Sequence, residues 1–311
     1  MNLLNPKKKK EESPLPYNPH AWFGLIFNMF DRRRRLTRHV VAELYPLILF
    51  MVGYSIGVHF LFEKFPVLFK YVEGTEIFLS SVGLILGFLL VFRANTAYDK
   101  WWEGRKIWGQ LLNDSRALAA KMNAFVPLRD HEERRFFGRM ICNFAYSLKG
   151  HLRKGVDMEE LIFEDKAVRK RVYDSKNKPN MIGSLIYEKI GLLFENRDIP
   201  PEHAIILDKE VKGFMDHLGA CERIKNTPIP YSYSSYIKKF IFVYSLLVPL
   251  ELVIHLHLWT VLGTCLVFYI LAGLEMIAEE VEEPFGESVN DLTLDKICSS
   301  VRSSVEEVLG V

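Results

Sequence analysis

Residues 91–116 read VFRANTAYDKWWEGRKIWGQLLNDSR. The stretch begins at the end of a strongly apolar run and then carries paired tryptophans and several charges. It contains no proline, and its glycines, Gly104 and Gly109, are isolated, so nothing in it ends a helix. We therefore predict one helix that leaves an apolar environment and continues into water without a break.

The composition indicates a protein with both a membrane part and a sizeable soluble part. Of the 311 residues, 49% are hydrophobic and 25% are charged, a mixture that fits neither a disordered chain nor one buried wholly in lipid. The formal net charge of +2 gives no indication of a nucleic-acid partner. The four cysteines are widely spaced and form no CxxC pair, which favours a reduced setting.

Two apolar runs in the first third of the chain approach the length of about 20 residues that a helix needs to cross a bilayer. They cover residues 44–62 and 77–92. Buried core helices of a soluble protein rarely carry such long uncharged stretches on every face. Both runs are therefore predicted to be membrane helices, and the second is the one that continues into the charged segment.

A third apolar stretch, residues 240–270, is too long for one crossing, and the sequence stays apolar to Ile277. It is interrupted by Glu251, His255 and His257. We interpret it as two helices, about 238–254 and 257–277, joined by a tight turn at the His-Leu-His sequence. The chain is thus predicted to have four membrane helices.

Basic residues cluster on one side of these segments. KKKK at 7–10 and RRRR at 32–35 precede the first run, whereas the link 63–75 has as many acids as bases. By the positive-inside rule, both termini and the long middle segment lie in the cytoplasm of a multi-pass cell-membrane protein. The predicted organisation is a mobile tail (1–20), membrane helices 1 and 2 (21–92), a helical cytoplasmic region (93–237), membrane helices 3 and 4 (238–277) and a C-terminal cytoplasmic segment (278–311).

Motifs for catalysis and cofactor binding are absent from the sequence. No phosphate-binding loop, dinucleotide fingerprint, zinc-protease motif or hydrolase elbow occurs, so we expect no enzyme activity, no cofactor and no metal. His255 and His257 could form a small metal site, but their position between two spans favours a water-facing turn. Glu251 lies at membrane depth, where an acid is a functional candidate, but pairing with a residue on a neighbouring helix is the favoured explanation. Glu76 is placed at the membrane boundary.

Three segments together resemble the signature of the bestrophin family, particularly its prokaryotic branch. They are FRANTAYDKWWEGRKIWGQLLNDSR at 92–116, GACERIKNTPIPYSY at 219–233 and EEVEEPFGESVNDLTLD at 279–295. The resemblance covers about residues 20–305. It implies an all-α membrane protein that forms a homopentameric ion channel, with four membrane helices and a helical cytoplasmic region per subunit. The second membrane helix would line an axial pore, and Trp101, Trp102 and Trp108 would be packing residues.

The resemblance also places two constrictions. The family's neck ends in the Phe of an LGF motif, here Phe88, and stepping back by four residues gives Leu84 and then Ser80, where relatives commonly have an aliphatic residue. A spacing of four keeps the three side chains on one helix face, so five copies would form three stacked rings. Without the resemblance, this stripe would be ordinary helix packing.

The second constriction lies before the GACERI segment, with candidates Glu202, Ile205 and Ile206, and its register is open. A ring of glutamates would attract cations, whereas a ring of isoleucines would be a neutral sieve. Animal members bind calcium after the PFG motif. Here Asn290, Asp291 and Asp295 remain, but the acids are sparse and lack the DxDxDG spacing, so we expect no calcium gating.

Three functions fit the sequence. The first is a passive channel for small monovalent ions, of open charge selectivity, whose partners are further copies of itself, the bilayer and the ions. The second is a secondary transporter, which four spans and the lack of an inverted repeat disfavour. The third is a membrane-anchored scaffold with a partner-binding cytosolic region.

Overall fold

The computed structural model describes residues 35–70, 72, 74–126, 131–288 and 290–310, without the side chains of 35–43, 68 and 69. The predicted tail (1–20) and the basic runs at 7–10 and 32–34 lie outside the described residues. Within the described part of the chain the regular structure is helical and contains no strand, which confirms the all-α prediction.

The helices are numbered here in chain order. They are α1 (Arg35–Lys64), α2 (Pro66–Phe69), α3 (Glu76–Phe125), α4 (His131–Leu152), α5 (Lys166–Asp174), α6 (Lys178–Glu195), α7 (Pro201–Asn226), α8 (Tyr231–Leu256), α9 (Thr260–Val281) and α10 (Leu294–Leu309), with a 3-10 turn at His257–Trp259 between α8 and α9.

Helix α3 is the longest element and passes through the opening stretch without interruption. Its 50 residues correspond to a length of about 75 Å at 1.5 Å per residue. The first third is apolar, and the rest is amphipathic and charged. One continuous helix therefore joins an apolar segment of about 25 Å to a charged segment about twice as long.

Among the described residues, three stretches are long and apolar enough to cross a membrane: Leu44–Lys64, the beginning of Glu76–Phe125, and Tyr231–Val281. The last contains both α8 and α9, which form an antiparallel pair. Lys238 near the start of α8 pairs with Glu279 near the end of α9 at 2.7 Å, while Gly263 at the start of α9 faces Leu252 near the end of α8.

The turn between α8 and α9 lies later than the sequence suggested. His255 is still inside α8, and the chain reverses at His257, whose φ is 48°. Helix α8 starts at Tyr231 rather than 238, and α9 ends at Val281 rather than 277. The difference arises because polar residues flank both apolar runs and continue the helices beyond the apolar limits from which their ends were predicted.

The remaining helices form a body around the distal part of α3. Trp108 is fully buried there and belongs to the same core as Phe137 on α4, Phe214 on α7 and Val301 on α10. Cys142, Cys221 and Cys298 are buried in this body, and burial raises the pKa of each thiol to about 12. These thiols keep their protons at neutral pH, so they are inert packing groups.

A buried ion network joins the two parts of the molecule. Arg93 of α3 has no solvent exposure; its Nη2 donates to Glu282 Oε2 at 2.7 Å, and its Nε lies 3.4 Å from Glu275 Oε1 of α9. The other oxygen of Glu282 accepts from the backbone N–H of Ile229 at 2.7 Å. Three segments, α3, the end of α9 and the link 227–230 before α8, are thus fixed to one another.

Replacing Arg93 by alanine should therefore destabilise the protein strongly. Breaking a buried pair on one side costs about 3–5 kcal/mol because it leaves an uncompensated charge. We expect Arg93→Ala to lower the melting temperature of the purified protein well below that of Arg105→Ala, which removes an exposed arginine from the same helix. Equal melting temperatures for the two variants would show that the network contributes little.

Candidate functional site

The three predicted neck residues lie on one exposed face of α3. Leu84 and Phe88 are 63% and 57% exposed, and Ser80 is exposed as well. The opposite face packs inside the subunit, where Leu86 is fully buried and Leu90 nearly so. Among the three apolar stretches, the one that begins at Glu76 is the least buried within the chain. This face is thus largely uncovered by the described residues of the chain.

The three candidates for the second constriction lie in the first two turns of α7. Ile205 is 71% exposed, Ile206 is 39% exposed, and Glu202 is exposed. Glu202 also sits where the positive end of the helix dipole favours an acid, so its presence has a purely structural explanation too. The structure brings the three side chains to the surface together and leaves the register among them open.

The two candidate constrictions are held at opposite ends of the same rod. The ring of His203, next to Glu202, stacks on Phe125 at the last turn of α3, with ring centroids 3.9 Å apart. The neck begins one turn after the first residue of α3. Since about 41 residues separate Leu84 from Phe125, the two sites are about 60 Å apart along the helix.

The tryptophans of the opening stretch divide into two kinds. Trp108 is buried inside the subunit, whereas Trp102 is 44% exposed and carries the Lys106 ammonium 5.9 Å from its ring centroid. Trp101 is half-buried and donates its indole N–H to the carbonyl of Asn290 at 2.9 Å. Tyr98 stacks on both Trp101 and Trp102, which leaves an aromatic surface on the outside of the subunit.

The acids after the PFG motif have partners within the protein. Asp295 accepts from Lys149 at 2.9 Å and from Arg153 at 2.8 Å; burial alone would raise its pKa, but these cations outweigh that effect and lower it. Asp291 accepts from the backbone N–H of Ser288 at 2.5 Å, and burial is the main reason that its pKa is raised. Lys149 and Arg153 therefore already neutralise the negative charge of Asp295 that a calcium ion would require.

A close approach between Gly286 and the Asp291 side chain holds this segment together. An added Cβ at Gly286 would lie 2.5 Å from Asp291 Oδ2, so a larger residue would displace the Asp291 carboxylate. The chain folds back between Pro284 and Leu292, and the Leu292 N–H donates to the Pro284 carbonyl at 2.8 Å.

Three polar residues from two distant parts of the sequence lie close together at the end of the molecule opposite the helical body. Glu76, Glu251 and His255 each offer a ligand atom, and these atoms lie within 4.8 Å of one another. His257 lies outside this group; its ring contacts Phe62 instead, at 5.9 Å between centroids. The structure therefore does not bring His255 and His257 together as a metal-binding pair.

Sequence reasoning missed the roles of two sets of residues. In the sequence, Arg93 is a positive charge directly after the apolar run, and this position was the sole signal of a buried pair. Glu76 and Glu251 gave no joint signal, because 175 positions divide them and no local pattern links them. Glu251 at membrane depth, with His255 one helical turn later, was the available clue.

Comparison with known proteins places the chain in a family. Residues 26–307 match the family described as Bacterial/Fungal Bestrophin protein. A protein of Nostoc sp., named a voltage-dependent anion channel-forming protein, is 32% identical over 299 residues, which cover 93% of this chain and 92% of that protein. An Escherichia coli protein with the same descriptive name is 33% identical over 71% of this chain and 73% of its own length.

Solved structures agree with this placement. A crystal structure of a variant bacterial bestrophin homologue from Klebsiella pneumoniae superimposes with a TM-score of 0.77 and 26% sequence identity, covering 85% of this chain and 98% of that one. A second variant of the same homologue gives a TM-score of 0.78. Members of the family are ion channels rather than enzymes, and the apolar helices agree with a membrane protein. The chain belongs to the bestrophin family, as its three sequence motifs predicted.

Proposed function

We propose that the protein is a homopentameric channel for small monovalent ions, with α3 of each subunit lining a single axial pore. The largely uncovered face that carries Ser80, Leu84 and Phe88 is the observation that supports this most directly. In a pentamer, five copies of that face would surround the axis and give three stacked rings. The aromatic surface of Tyr98 and Trp102 would then pack between neighbouring subunits.

The membrane arrangement that goes with this proposal has four spans per subunit: α1, the apolar part of α3, α8 and α9. Both termini and the helical body lie in the cytoplasm, because the basic clusters flank the spans on that side. The domain limits at residues 20, 92, 237 and 277 follow from the same assignment. The short link between α1 and α3 and the turn between α8 and α9 then face the opposite side of the cell membrane.

In this arrangement the neck works by wetting rather than by charge. The Leu84 and Phe88 rings carry no polar atoms, and a narrow apolar constriction resists ion flow when it loses its water. Ser80 supplies a hydroxyl at the outer ring, which shortens the dry region to two rings. Uncharged rings of this kind do not distinguish anions from cations.

Charge selectivity would then be decided at the second constriction. The relatives in Nostoc and Escherichia coli are named anion channels, and a ring of isoleucines at position 205 is compatible with anion passage. Five copies of Glu202 around the axis would instead favour cations. The calcium clasp of animal relatives has no counterpart in this proposal, since Lys149 and Arg153 already neutralise Asp295.

Shortening the neck side chains should open the constriction. In planar bilayers, Leu84→Ala combined with Phe88→Ala is expected to raise the single-channel conductance severalfold, because smaller side chains widen and wet the rings. A matched control is Phe78→Ala combined with Ile85→Ala. These residues are also exposed, at 65% and 54%, but their side chains point about a third of a turn away from the centre of the neck face.

The control pair separates a pore role from general loosening of α3. If both double variants conduct alike, the Ser80–Leu84–Phe88 face is not the neck. If neither the native protein nor the variants conduct, the channel proposal itself fails for this chain.

Neutralising Glu202 tests the second constriction. If its ring lies in the ion path, Glu202→Gln should shift the reversal potential in a NaCl gradient towards the chloride equilibrium value, because the ring no longer attracts cations. Asp208→Asn is the control, since Asp208 is an exposed acid on the same helix that points about a third of a turn away from Glu202. An unchanged reversal potential in Glu202→Gln would assign the aperture to Ile205 or Ile206.

A further inference from the structure

The end of the helix bundle farthest from the cytoplasmic body contains a cluster that the channel function does not use. It consists of Glu76, the first residue of α3, together with Glu251 and His255 near the end of α8. We call these three residues the outer cluster. We propose that the outer cluster is a binding site for Zn²⁺ or a similar borderline divalent cation, which would tie the start of α3 to the end of α8.

Glu251 gives the strongest reason for a ligand. Its side chain is only 6% exposed, and its Oε2 accepts a hydrogen bond from the Thr75 hydroxyl at 2.7 Å. Its other oxygen, Oε1, is buried and has no hydrogen-bond partner among the described residues. Buried carboxylates are normally paired or bound to a metal, because an uncompensated charge away from water is costly.

The other two members are placed to complete the site. His255 Nε2 lies 3.0 Å from Glu76 Oε1, and both side chains are more than half exposed. The three ligand atoms lie within 4.8 Å of one another, and tetrahedral zinc with bonds of about 2.0–2.2 Å holds its ligand atoms about 3.4 Å apart. Small rotations of the exposed Glu76 and His255 side chains would close that gap onto the fixed carboxylate of Glu251.

The chemistry of the donors selects the class of ion. One imidazole nitrogen and two carboxylates suit zinc, whereas calcium and magnesium prefer sites built from oxygen alone. Within the described part of the chain, no other group of three His, Cys, Asp or Glu side chains has ligand atoms this close. The buried thiols of the body compete poorly, because their raised pKa keeps Cys142, Cys221 and Cys298 protonated.

The test is equilibrium binding of zinc to the purified, untagged full-length protein in lipid nanodiscs. The native protein should take up zinc and melt at a higher temperature as the zinc concentration rises. His255→Asn should weaken this binding by more than about tenfold, since even second-shell partners of a metal change its affinity by about 10–100-fold. Glu76→Gln should weaken it as well.

The matched control is His257→Asn, which changes the other histidine of the same turn. Asparagine, like histidine, is among the non-glycine residues enriched at positive φ, and His257 lies outside the outer cluster. Its zinc affinity should equal that of the native protein. Equal loss in the two histidine variants, or no loss in His255→Asn, would overturn the proposal.

Zinc absorption spectroscopy identifies the ligands directly. The bound ion should show one imidazole with the remaining ligands oxygen, and the imidazole contribution should vanish in His255→Asn. A sulfur ligand would place the zinc on a cysteine and refute the outer cluster as the site. Neither binding nor spectroscopy requires ion conduction, so this proposal and the channel proposal fail independently.

Discussion

The buried contact between Arg93 and Glu282 is the constraint on which the architecture depends. A guanidinium with no solvent exposure has to be paired, and the carboxylates that pair it come from the end of α9 and the segment just after it. Because Glu282 also accepts from the Ile229 backbone, the contact fixes the point where the chain returns to the apolar helices. The long helix, the hairpin of α8 and α9, and the link between α7 and α8 therefore have one common reference point.

This reference point explains how one helix serves two environments. On one side of Arg93, α3 packs Leu86 and Leu90 against the apolar helices; on the other, Ile107, Trp108 and Leu111 enter the core of the body. An α-helix needs no partner for its backbone bonds, so it can pass between lipid and water without a break. The helix must, however, be held against sliding along its axis. A shift by one turn, about 5.4 Å, would separate the carboxylates of Glu275 and Glu282 from Arg93.

Some features could be predicted from the sequence because their signal is local. The long apolar runs, the absence of a breaker between Phe92 and Phe125, and the four-residue spacing of Ser80, Leu84 and Phe88 are all visible in neighbouring residues. Helix ends were less predictable: polar residues extend α8 before residue 238 and α9 after residue 277, so hydropathy made both helices too short. Contacts between distant positions left no trace at all, as for Thr75 with Glu251 or Arg93 with Glu282, which are separated by 176 and 189 positions.

The distribution of charge along α3 follows from the same division. From Ile77 to Phe92 the helix has no ionisable side chain, and the first one after that run is buried and neutralised. A face made only of Ser, Leu and Phe can regulate water but not the sign of an ion, because it offers no net charge. Charge discrimination in a pore lined by this helix must therefore arise beyond Arg93, where α3 is surrounded by the charged side chains of the body. In the proposed channel, permeation and selectivity would thus belong to different ends of one helix, and the Phe125–His203 stack would hold the second constriction at the far end of α3.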